Sequence, residues 1–295
     1  MSSVDHRAAL LLLLKQRLTT LVDAMPAAQA GDIRSVHQAR VASRRLREAL
    51  PVLRKTVHKH TLTHVRQQVR EMTRALGPVR ELDVALAHLD ELGRRSRISS
   101  RALGCVRQAI ARERLACRRE MLATITPGKV EKLRQRLGHV STGPETPQPP
   151  SALQDAGTQV GRRARRLASA IDHAGGLYLA DRLHRVRVAA KKLRYAMEIE
   201  RELKRSKATA RIAQLKRLQD LLGLMHDFEI LIDRTRAVQA EIAGSDRTLT
   251  VELDTLIRAL EAECRKDHAI YMRRRASILK LCDLLSLSQA TSSAA

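Results

Sequence analysis

Aromatic residues are nearly missing from this 295-residue chain: they make up 1%, with no Trp, one Phe and three Tyr. Proteins that hold single-stranded nucleic acid without sequence preference draw much of their affinity from bases stacked on aromatic rings, so the scarcity argues against that class. Acidic residues are also short, with 31 Asp+Glu against 55 Lys+Arg and a formal charge of +24. Self-repulsion of that size makes sense when a polyanion offsets it. The four cysteines, Cys105, Cys117, Cys264 and Cys282, form no C-x-x-C pair, which argues against a zinc ribbon or a redox motif and for reduced thiols. No G-x-x-x-x-G-K-[ST] loop or H-E-x-x-H pair occurs, so neither nucleotide hydrolysis nor zinc proteolysis has its usual signature. Long apolar runs are missing too. Leu10 to Leu14 lies between Arg7 and Lys15, too short to span a bilayer and without the cleavage site of a secretory signal. The expected location is cytoplasmic, with no membrane partner.

Against these absences stand two closely related stretches, V36-H-Q-A-R-V-A-S-R-R-L-R47 and L183-H-R-V-R-V-A-A-K-K-L-R194, at an offset of 147 residues. Placed on a helix at about 100° per residue, His37, Arg40, Arg44 and Arg47 fall on one stripe, opposite Val36, Ala39, Ser43 and Leu46. The second copy puts His184, Arg187, Lys191 and Arg194 on its stripe, with Tyr195 beside them and Val186, Ala190, Leu193 and Met197 behind. Arg45 and Lys192 flank the stripes. Neither stripe carries the interleaved acids that give a solvated helix face its i,i+4 pairs, and both repeat the same residue types at the same spacing. These features turn the reading from plain surface to anion binding.

A second repeat supports the first. L76-G-P-V-R-E-L-D-V84 recurs as L222-G-L-M-H-D-F-E-I230 at an offset of 146, each with an acidic pair two residues apart: Glu81/Asp83 and Asp227/Glu229. These acids are expected to orient basic residues or cap helices. Helical spacing predicts elements over 5–25, ending near Pro26, then up to Leu50 with Gly31-Asp32 as turn and N-cap, 60–92 interrupted at Gly77-Pro78, 99–122, 128–138, 152–173, 178–203, 207–242 and 247–285. Residues 141–151 hold four of the eight prolines and no apolar residue, and read as a linker between a first helical bundle (1–140) and a second (152–285). Residues 286–295 read as a disordered tail.

The paired signature H-x-x-R-V-x-x-[RK]-[RK]-L-R, with the Leu-Gly motif, closely resembles the CHAD family, the conserved histidine α-helical domain. The resemblance implies an all-α fold of two pseudo-symmetric four-helix bundles that face a shared basic groove. It also implies that the groove binds inorganic polyphosphate and that the protein associates with polyphosphate granules. The implied ligands are His37, Arg40, Arg44, Arg45, Arg47, His184, Arg187, Lys191, Lys192, Arg194 and Tyr195. Arg70 and Lys216, which correspond on the third helix of each half, are expected as side walls. Arg80 and His226 also correspond and rank lower. The E-x-E-x-K strands of triphosphate-processing domains often fused to this family have no counterpart here, so the chain reads as a binding module, not an enzyme, with no cofactor.

Arginine suits phosphate because its planar fork binds two oxygens and stays charged at any cellular pH. The histidines are expected to be adjustable: neighbouring arginines favour the neutral ring and a bound phosphate the charged one. His60 and His64 lie one turn apart but without a carboxylate in the tract, which reads as a surface cluster in preference to a metal site. The rival readings are a nucleic-acid-binding helical protein, for which only Gln38 and Tyr195 stand near the stripes as base readers, and a metal-dependent phosphohydrolase using the acidic pairs.

Overall fold

The computed structural model describes residues 3–51, 59–95, 98–142, 151–204 and 208–293, and among them every regular element is a helix. In chain order these are α1 (Ser3–Ala30), α2 (Ile33–Ala49), α3 (Lys59–Arg95), α4 (Ser100–Thr124), α5 (Pro127–Thr142), α6 (Ser151–Ala174), α7 (Ala180–Lys204), α8 (Thr209–Ile242) and α9 (Arg247–Ser293). The proline-rich stretch taken as a linker lies, over 143–150, outside the described residues.

Two helix ends follow local rules. Gly31 adopts φ +102°, which closes α1 in the left-handed region open to glycine. Asp32 then caps α2, its carboxylate accepting from the Ser35 amide at 2.7 Å. Two prolines depart from the same rules. Pro26 does not end α1 and Pro78 does not break α3; both lie inside continuous helices. A proline forfeits one helical hydrogen bond and crowds the preceding turn. The flanking turns, however, bury Leu21, Met25 and Ala28 in α1 and Leu76, Val79 and Leu82 in α3. That tertiary burial, about 1.5–3 kcal/mol for each large side chain, outweighs the local loss. The C-terminal expectation also differs from the structure. α9 stays helical to Ser293; Leu285 is buried, and no Gly or Pro follows it to stop the helix.

The packing gives three cores. The first gathers α1, α2, the start of α3, the end of α4 and α5 around Leu21, Met25, Leu46 and Leu76. The second gathers α6, α7, the start of α8 and the end of α9 around Leu167, Leu193, Leu222 and Tyr271. A third core is shared, with Leu82 and Leu89 of α3 and Ile110 of α4 packing with Phe228 and Leu231 of α8 and Leu256 and Leu260 of α9. The long helices α3, α8 and α9 therefore run out of one core and into another. In the second half, α9 alone does what α4 and α5 do together in the first, supplying both the shared core and the bundle end.

Contacts between acidic and basic side chains on the shared layer link α3 and α8 reciprocally. Glu81 meets Arg234 at 3.3 Å, and Asp227 meets His88 at 3.7 Å. The offset of 146 that carries Glu81 onto Asp227 also carries His88 onto Arg234, so this is one contact made twice from opposite sides. The first acid of each Leu-Gly motif thus pairs with a basic side chain across the halves.

Candidate functional site

Where α2 and α7 approach each other over α3 and α8, they leave a groove of about 580 Å³. His37, Arg40 and Arg44 enter it from α2, and Arg187, Lys191, Arg194 and Tyr195 from α7. Seven of the expected ligands are therefore brought together. The apolar stripe of each motif helix explains why. Val36, Ala39, Ala42 and Leu46 are buried on one side of α2, and Leu183, Val186, Ala190 and Leu193 on one side of α7, which turns both basic stripes toward the other half.

The Leu-Gly motifs make room for the motif arginines. A Cβ on Gly77 would lie 2.8 Å from Arg40 Nη1, and one on Gly223 would lie 3.7 Å from Arg187 Nε. Each glycine is thus the seat of the arginine contributed by the facing motif helix, more tightly in the first half. Arg40 Nη1 also donates to the Thr73 carbonyl at 3.3 Å, one turn before its glycine.

The charges in the groove do not balance. Arg40, Arg44, Arg80, Arg187, Lys191 and Arg194 line it with three carboxylates, Glu81, Asp220 and Asp227. Each carboxylate is engaged by a basic side chain outside those six: Glu81 by Arg234, Asp227 by the His88 ring, and Asp220 by Lys216 at 2.7 Å. Among the described residues Arg194 alone of the six forms an ion pair, with Glu198, and its Nε also donates to Gln219 Oε1 at 2.8 Å while its guanidinium stacks over the Tyr195 ring at 4.7 Å. It frames the groove more than it offers free donors.

The titrating groups register this imbalance together with burial. Lys191 is pushed down to about 7, first by desolvation and then by Arg44, Arg187 and Arg47. Desolvation, with Arg44 next, lowers Arg40 to about 10. His226 falls to about 4 through desolvation and then Arg187. His37 and His184 also shift below the ordinary histidine value, each first through burial and then through basic neighbours. The histidine shifts have the direction expected from sequence, but burial is the larger cause. The group most sharply poised near neutrality is a lysine.

The remaining expected ligands stand apart. His184 stands at the edge, its ring 4.7 Å from that of His226, which does line the groove. Arg47 pairs with Glu48 at 3.6 Å, near enough to Lys191 to lower its pKa but outside the lining. Arg45 and Lys192 open onto the outer flanks of α2 and α7. Arg70 and Lys216 precede the seating glycines by seven residues, about two turns or 10 Å along the helix, and the groove does not reach them. Lys216 is 65% exposed. Arg80 and His226, ranked lower in sequence, are inside.

Sequence reasoning missed Gln219, whose Nε2 is buried without a hydrogen-bond partner beside the groove, and His88. The offset of 146 from Arg234 is the only sequence signal that could have singled out His88. Among the described residues no cluster of three or more His, Cys, Asp or Glu side chains is arranged to hold a metal, and no helix is long and apolar enough to cross a membrane.

The family model for the CHAD domain matches residues 12–236. No curated protein sequence matches the chain. Among solved structures, the chain is similar to the CHAD domain from the plant Ricinus communis, at 20% identity over 94% of this chain and 91% of that one, with a TM-score of 0.64. It is likewise similar to PptA from Streptomyces chartreusis, at 13% identity over 96% of this chain and 98% of that one, again with a TM-score of 0.64. At these identities the likeness is one of fold.

Proposed function

The chain belongs to the CHAD domain family, and from that premise we propose that its central groove binds inorganic polyphosphate by charge, without catalysis. The observation that carries this reading is the convergence of six basic side chains from three helices, α2, α3 and α7, on one groove whose three carboxylates are each already engaged by another side chain. A chain of phosphates offers what those groups lack: closely spaced oxygens, each able to accept from a guanidinium or ammonium. Arg40 and Arg187, seated against Gly77 and Gly223, are the paired central anchors; Arg44, Arg80 and Lys191 extend the contact along the groove, and Gln219 Nε2 supplies a neutral donor. The single aromatic ring in the lining, apart from the histidines, is Tyr195, which is buried under Arg194. That leaves no platform for stacking bases and favours an anion without bases over nucleic acid. Association with polyphosphate granules is the cellular role that fits such a module.

Binding on these terms takes up protons. In the anion-free groove Lys191 loses its proton near pH 7, and phosphate oxygens beside the ammonium raise its pKa. Between the free and bound values, binding captures a proton and affinity falls as pH rises; below the free value the ammonium is already present and Lys191 adds no slope. His37, His184 and His226, all depressed, act with the same sign at lower pH. Affinity at pH 6 is therefore expected to exceed that at pH 8 by about tenfold per proton captured. Calorimetry in buffers of different ionisation enthalpy, at constant salt, measures the uptake directly. Equal affinity and no uptake would contradict the groove assignment, and Lys191→Met should flatten the neutral part of the profile.

A further inference from the structure

On the outer flank of α7, against α6, lies a cleft of about 370 Å³ that the central groove does not include. Arg163 and Arg166 line it from α6, and His184, Arg185 and Lys192 from α7, over a floor of Val188 and Ala189. None of its lining residues is a carboxylate. Compensation among the described residues is weak: Arg163 reaches Glu48 only at 4.0 Å, its Nε is buried without a partner, and Asp181, at the start of α7, acts on His184 without lining the cleft. Arg185 Nη1 touches only the ring of His173, at 3.5 Å.

The corresponding place in the first half is built differently. The cleft between α1 and α2 is lined by Arg17, Thr20, His37, Gln38 and Arg45. Thr20 and Gln38 stand where the second half has Arg166 and Arg185. The two arginines that remain are directed to acids: Arg17 to Glu202 at 3.2 Å, and Arg45 to Glu198 at 3.9 Å. The uncompensated charge is therefore a property of one side of the molecule and not of the repeat.

The central groove and the outer cleft approach each other at a pair of rings. His184 borders the outer cleft, His226 lines the central groove, and their rings lie 4.7 Å apart. We infer that the cleft between α6 and α7 is a second anion subsite, and that a long polyphosphate leaves the central groove over His184 to lie in it. The inference rests on the polyphosphate reading above and adds a direction to it: the polymer emerges on the second-half side, where the contacts continue, and not over His37. Affinity then depends on chain length, because a short oligophosphate fills the central groove alone.

The test compares inorganic triphosphate with long-chain polyphosphate, by fluorescence competition at one salt concentration. The variant is Arg166→Ala/Arg185→Ala/Lys192→Ala. A control of equal charge loss is Arg247→Ala/Arg258→Ala/Arg265→Ala, three exposed positions on α9. The outer-cleft variant is expected to weaken long-chain binding by about tenfold or more and to lower its salt slope, since fewer phosphates are neutralised, while triphosphate binding stays as in the unaltered protein. Long-chain binding reduced no further than in the α9 control would overturn the subsite and leave the central groove standing. Failure of the unaltered protein to bind either anion would overturn the polyphosphate reading itself. Installing Thr20→Arg/Gln38→Arg in the first half is expected to raise long-chain affinity; no gain there counts against the inference.

Discussion

Replacing Arg40 and Arg187 together with alanine is expected to weaken polyphosphate binding by about 10² to 10⁴-fold, since each charged hydrogen-bonding group contributes about 1.5–3 kcal/mol. The fold has little at stake in either residue. Arg40 makes one long hydrogen bond, to the Thr73 carbonyl at 3.3 Å, and both guanidiniums sit among other cations, so removing them relieves repulsion. The double variant should melt at or above the temperature of the unaltered protein while losing its ligand. A companion substitution keeps every charge. Gly77→Ala places a methyl group 2.8 Å from Arg40 Nη1, whereas Gly223→Ala meets Arg187 at an ordinary 3.7 Å. Alanine also favours a helix interior by about 1 kcal/mol over glycine. Gly77→Ala is therefore expected to bind several-fold more weakly without loss of stability, and Gly223→Ala to bind nearly as before. Affinity within about threefold of normal in the arginine double variant would mean that charge at this place is incidental.

Asp83→Ala is expected to act in the opposite way, on stability and not on the ligand. Its carboxylate side chain is 0% exposed and accepts from Arg114 Nε at 2.5 Å, while Arg114 itself is only 19% exposed. Removing one partner of a buried pair leaves the other charge uncompensated, at about 3–5 kcal/mol, which for a chain of this size corresponds to a melting temperature lower by roughly 10 °C. Replacing both residues, Asp83→Leu with Arg114→Met, should recover most of the loss. A thermal melt that moves by less than about 1 kcal/mol equivalent would show the pair to be solvated. The same geometry bears on the rival hydrolytic reading. Asp83 is not in the groove lining, and its counterpart Glu229 accepts from the Tyr178 hydroxyl. The second acid of each pair is thus turned to a structural partner, and the first acid is taken by Arg234 or His88.

Much of this was readable from residue types and periods, because each motif helix has a strict apolar side and a strict basic side. Val36, Ala39 and Leu46 could only face inward, which left Arg40 and Arg44 to face the other half. The Asp32 cap followed equally from local rules. What stayed hidden depends on partners distant in sequence. Pro26 and Pro78 look like breaks to a local rule, and only the buried turns on either side of them keep α1 and α3 continuous. Gly77 looked like an interruption of α3, and its use as the seat of Arg40 shows only when α2 is laid across α3. Arg194 fits the basic signature as well as Arg187 does, yet Glu198 and Gln219 hold it. Arg45 and Lys192 correspond in sequence, but Glu198 approaches the first and no carboxylate lines the cleft beside the second.

An anion without bases in the groove is distinguished from nucleic acid by competition at near-physiological salt, about 0.15 M. Labelled long-chain polyphosphate bound to the protein is challenged with unlabelled polyphosphate, duplex DNA and single-stranded RNA at equal phosphate concentration. Unlabelled polyphosphate is expected to displace the label, and neither nucleic acid to do so at comparable concentration. Displacement by nucleic acid at the same concentration as by polyphosphate would contradict the polyphosphate reading and make the stripes a general polyanion surface.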